Sequence, residues 1–106
     1  MSEQRPWLKN YPQGIPANIN ANAYPSLVAM MDETFKKYKN LPAFACMGAS
    51  LTFDEVDKKS KQFGSYLQSR GLQPGDKIGL MMPNMLQYPI ALFGALRAGL
   101  VVVNTN

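Results

Sequence analysis

Apolar positions recur at helical spacing in three stretches of this sequence and form short unbroken runs between them. After Pro25, residues Leu27, Met30, Met31, Phe35 and Tyr38 fall on one side of a 3.6-residue period, which predicts a first helix with Ser26 as its N-cap. Asn40, Leu41 and Pro42 end it. Ala43–Cys46 predicts a short strand, Met47–Ala49 a turn and Ser50–Thr52 the return strand, together a small hairpin. Thr52-Phe-Asp-Glu55 has the form of a capping box, opening a second helix whose apolar side is Phe53, Val56, Phe63, Tyr66 and Leu67. Gly71 is its expected left-handed stop.

Gln73-Pro-Gly-Asp76 suits a type II turn. A strand apolar on both faces follows at Lys77–Met82, broken by Pro83-Asn84. Met85–Ala98 predicts a third helix with Leu86, Ile90, Phe93 and Leu96 facing the core, and with Ala91, Ala95 and Ala98 allowing close packing. Gly99 ends it, and Leu100–Val103 is a second doubly apolar strand. Strand–helix–strand is a parallel crossover, right-handed in nearly all cases. Strands apolar on both faces belong to parallel sheets covered by helices above and below. The expected class is therefore α/β, the start of a parallel-sheet domain over residues 26–106 and incomplete on its own. Residues 1–25, with Pro6, Pro12, Pro16 and Pro25 among several asparagines, predict an extended arm. Its apolar handles Trp7, Tyr11, Ile15, Ile19 and Tyr24 are expected to lie on the body of the protein.

Composition sharpens this picture. The 106 residues hold 46% hydrophobic side chains but only 17% charged ones, against a typical ~25%. So small a charged share leaves part of the surface expecting cover. Net charge is +4, yet the lysines gather at 36, 37 and 39 and at 58, 59 and 61, on helix faces without an arginine stripe or a binding motif, so nucleic acid is not the expected partner. No apolar stretch reaches the ~20 residues of a membrane span, and the N-terminus lacks a signal peptide's apolar core, which predicts a cytoplasmic protein.

Candidate chemistry is sparse. There is no His, so no imidazole base or metal ligand, and one Cys closes no internal disulfide. Cys46 reads as a buried structural thiol, having no base to activate it. Asp32-Glu33 and the group Asp54, Glu55 and Asp57 read as helix-surface carboxylates. The eight glycines form no phosphate-cradling cluster. Met81, Met82 and Met85 bracket the carboxyl end of a strand, where open α/β sheets place ligands, but methionines there are more often core. No catalytic, cofactor-binding or metal-binding residue is assigned.

Four segments carry a resemblance: Trp7-Leu-Lys-Asn-Tyr-Pro12; Leu51-Thr-Phe-Asp-Glu55; Gly75-Asp-Lys-Ile-Gly-Leu-Met-Met-Pro-Asn84; and Gln87-Tyr-Pro-Ile-Ala-Leu-Phe-Gly-Ala-Leu-Arg-Ala-Gly99 with Val101-Val-Val-Asn104. Together they resemble the N-terminus of bacterial long-chain fatty acid–CoA ligases, of the acyl-adenylate-forming superfamily that includes acetyl-CoA synthetases and firefly luciferase. The resemblance implies a longer parent enzyme that activates a fatty acid with ATP and magnesium and passes the acyl group to CoA. The family's phosphate loop ending in Pro-Lys-Gly, its Tyr-Gly-x-Thr-Glu segment and its C-terminal lysine match nothing here. The resemblance thus implies an inactive N-terminal fragment, a scaffold whose partner is the rest of its chain. Two other readings stay open: a short interaction module pairing through an exposed strand edge, and a peripheral membrane-surface protein using the Trp7/Tyr11 arm. Uncovered strands at Ile78–Met82 and Leu100–Val103 also predict self-association.

Overall fold

The structure, a computed structural model, describes residues 4–106. Its elements are a 3-10 turn Pro6–Asn10, helix α1 Leu27–Lys37, strands β1 Pro42–Cys46 and β2 Ala49–Thr52, helix α2 Phe53–Ser69, strand β3 Lys77–Leu80, helix α3 Gln87–Arg97 and strand β4 Val101–Asn104. The class is α/β as expected, with one antiparallel hairpin (β1–β2) and one parallel pair (β3–β4) joined through α3.

Local chemistry sets most boundaries. The Ser26 hydroxyl accepts from the Ala29 amide at 3.0 Å and caps α1. The Thr52 hydroxyl accepts from the Glu55 amide at 3.1 Å and caps α2. Only half of the capping box forms, because among the described residues the Glu55 carboxylate makes no return bond. Gly71 (φ 88°) and Gly99 (φ 78°) end α2 and α3, and in both the amide two residues past the C-cap reaches back five residues: Leu72 to Leu67 O at 3.4 Å, Leu100 to Ala95 O at 3.0 Å. In the hairpin, Met47 and Gly48 both have positive φ, the requirement of a two-residue type I′ turn, so Ala49 belongs to β2 rather than to the turn.

Strand β3 and helix α3 differ from expectation. Strand β3 stops at Leu80 rather than Met82, because its partner runs out: Leu80 pairs with Asn104, and the Thr105 amide then closes on the Leu80 carbonyl. Helix α3 begins at Gln87, with Met85 and Leu86 in the turn before it. Its fully buried face is Pro89, Ala91, Gly94 and Ala95, while Leu86, Ile90, Phe93 and Leu96 are only partly covered. Small side chains win the interior because α2 and α3 cross almost backbone to backbone; a Cβ on Gly94 would lie 2.9 Å from the Ser60 carbonyl oxygen.

Two core clusters result. Leu67, Ala95, Ala98 and Leu100 join Phe63, Ile78 and Val102 between α2, α3 and the parallel pair. Phe35, Leu51 and Val56 join Phe53, Ile90 and Phe93 between α1, α2 and the hairpin, with the Phe35 and Phe93 rings edge-on at 6.0 Å. Tyr66, expected on the apolar side of α2, is exposed and stacks on Phe63. Only one face of the parallel pair is covered. On the other face Val101 and Val103 are 47% and 45% exposed, and Met81 lies open beyond them. The arm departs from expectation too. Trp7, Tyr11, Ile15, Ile19 and Tyr24 are all exposed, because the arm is held by its own contacts: Arg5 donates to Asn18 Oδ1 and to the Ala17 carbonyl.

Candidate functional site

Three places bring functional side chains together. The most ordered is centred on Arg97, the last residue of α3 and 14% exposed. Its Nη2 lies 2.8 Å from Asp32 Oδ1 of α1 and 2.8 Å from Asp57 Oδ1 of α2. Its Nε donates to the wholly buried Ser60 hydroxyl at 3.1 Å, and the guanidinium sits 5.6 Å from the centre of the Phe35 ring. One side chain therefore ties all three helices. Sequence reading missed it and gave Arg97 no role. The available signal was the lone cation on a small-residue helix, since a charge drawn inside requires a carboxylate partner.

Of the five carboxylates read as surface groups, Asp32 and Asp57 belong to this network and Asp54 to a neighbouring pair. Lys61 lies 3.1 Å from Asp57, and Lys58 lies 2.8 Å from Asp54, both one helical turn on. The hydrogen bond from Lys58 holds the Asp54 carboxyl below its ordinary pKa, and Asp54 in turn raises that of Lys58. The two are a solvent-screened surface pair. Asp32 and Asp57 thus join helices through Arg97, while Asp54 pairs with Lys58 within α2 itself.

The second place is an apolar groove of about 350 Å³ between β1 and the start of α3. Phe44, Cys46, Met85, Leu86, Pro89 and Phe93 line it. Cys46 is half-buried rather than fully buried, and its thiol donates to the Asn84 carbonyl at 3.5 Å. The third place is a hollow at the carboxyl ends of β3 and β4, formed by Met81, Met82, Pro83, Thr105 and Asn106. The methionine trio is thus divided, Met81 and Met82 lining the hollow and Met85 the groove. Beside this hollow the Tyr88 hydroxyl of α3 donates to the Asn104 side-chain oxygen, fixing the end of β4.

The left-handed glycines at 14, 48, 71, 75 and 99 serve separate turns and helix ends, with no run of amides converging on an anion. Among the described residues no three His, Cys, Asp or Glu gather for a metal ion, and no helix is long and apolar enough to cross a membrane.

A helix, a hairpin and a second helix followed by a strand–helix–strand unit define the class, an α/β chain built toward a parallel sheet. It is similar to the N-terminal subdomain of Klebsiella oxytoca NpsA, at 18% identity and a TM-score of 0.74 over 76% of this chain and 21% of that one. It is similar also to a benzoate CoA ligase from Burkholderia xenovorans LB400, at 29% identity and a TM-score of 0.69 over 74% of this chain and 16% of that one. Residues 31–106 match the AMP-binding enzyme family, and the chain belongs to that family. A long-chain-fatty-acid–CoA ligase of Yersinia pestis is 50% identical over 97% of this chain and 18% of its own length. The chain therefore spans about a fifth of the length of such curated relatives.

Proposed function

We propose that this chain is the opening part of the large N-terminal domain of an AMP-forming long-chain fatty acid–CoA ligase. The parent converts a fatty acid, ATP and CoA to acyl-CoA, AMP and pyrophosphate, using magnesium. These residues serve it as scaffold and contribute no catalytic, nucleotide-binding or metal-binding group. The observation that carries this reading is the 50% identity to a ligase of that name across 97% of the chain. It also disfavours a standalone interaction module. The test is acyl-CoA formation by the complete polypeptide. Thioester formation from a long-chain fatty acid, dependent on ATP and CoA, is expected; activity confined to aromatic or short acids would overturn the reading.

The main partner of this chain is then the rest of its own polypeptide, seated on the open face of β3–β4. Without that cover the same face mediates self-association. Strand β4 carries no charge to discourage edge pairing. Light scattering after size exclusion should show the 106-residue chain growing into dimers or larger species with concentration. A Val101→Lys, Val103→Lys variant should remain monomeric. A wild-type monomer at high concentration would contradict this.

The parent works in the cytoplasm, and the arm suits peripheral contact with an anionic membrane surface. Arg5 and Lys9 stand beside exposed Trp7, Tyr11, Ile15 and Ile19. Trp7 is the single tryptophan, so its fluorescence reports on the arm directly. A blue shift with phosphatidylglycerol vesicles, reversed by salt, is the expected result. An emission spectrum unchanged by vesicles removes the membrane role and leaves the ligase reading untouched.

A further inference from the structure

We draw no further inference here: the strongest candidate, the apolar groove between β1 and the start of α3 with Cys46 in its wall, carries nothing because the structure does not show what covers it and a lone cysteine is not a site.

Discussion

Replacing Arg97 with methionine should cost the chain about 3 kcal/mol of stability, the scale for removing one partner of a largely buried ion pair. Methionine keeps most of the packing volume, so the loss isolates the guanidinium. Asp57, 20% exposed, would be left with only the exposed Lys61 as its cation, and Asp32 would lose the cation it pairs with. The buried Ser60 hydroxyl would lose its donor, and α1, α2 and α3 would lose their common tie. A total stability of ~5–15 kcal/mol makes this a large fraction. Arg97→Lys should recover little, because one ammonium cannot serve two carboxylates and a hydroxyl in the planar fork geometry. Adding Asp32→Leu and Asp57→Leu to Arg97→Met should restore much of the loss by removing the stranded charges. Urea unfolding followed by circular dichroism measures all three. A loss under ~0.5 kcal/mol for Arg97→Met would mean that the network is ordinary surface pairing.

Gly94→Ala should destabilise by about 2 kcal/mol, although alanine is intrinsically the better helix former by ~1 kcal/mol. The sign is set by space. The new Cβ would lie 2.8 Å from Phe63 Cδ1 and 2.9 Å from the Ser60 carbonyl oxygen. The Phe63 ring can turn, but the Ser60 carbonyl is backbone, so α2 must move away from α3. That displacement opens the packing around Ala95 and Ala98, both buried in the same cluster. Gly64→Ala should cost less, its Cβ meeting the Gly94 carbonyl oxygen at 3.0 Å. Gly79→Ala is the control: nothing lies within 4 Å and its φ is not left-handed, so stability should hold or rise slightly. Thermal melts of the three variants rank them. Equal melting temperatures for Gly94→Ala and Gly79→Ala would contradict the close crossing.

What could be read from sequence was local. Ser26, Thr52, Gly71 and Gly99 act within five residues of themselves, so their roles follow from the residue types at those positions. The strand–helix–strand order was legible for the same reason, being written in runs of apolar residues between turn signals. What sequence could not supply was set by neighbours far along the chain. The close packing of Ala91, Ala95 and Ala98 was legible, but how near α2 comes decides that these small residues and Gly94 are sealed while Ile90 and Phe93 pack at the flank of the core. The end of β3 depends on where β4 stops pairing. The Arg97 network joins residues 37 and more apart, and its carboxylates look from sequence like solvated helix faces. The apolar character of both strand faces was legible. The structure adds that only one of those faces is covered by the helices of this chain.

One open face suits the proposed scaffold, whose chemistry would reside in the rest of a longer ligase. ATP–pyrophosphate exchange in the presence of a long-chain fatty acid tests it most directly, run side by side on the 106-residue chain and on the complete polypeptide. Fatty-acid-dependent exchange is expected from the complete polypeptide and none above background from the chain alone. Exchange catalysed by the 106 residues themselves would contradict it.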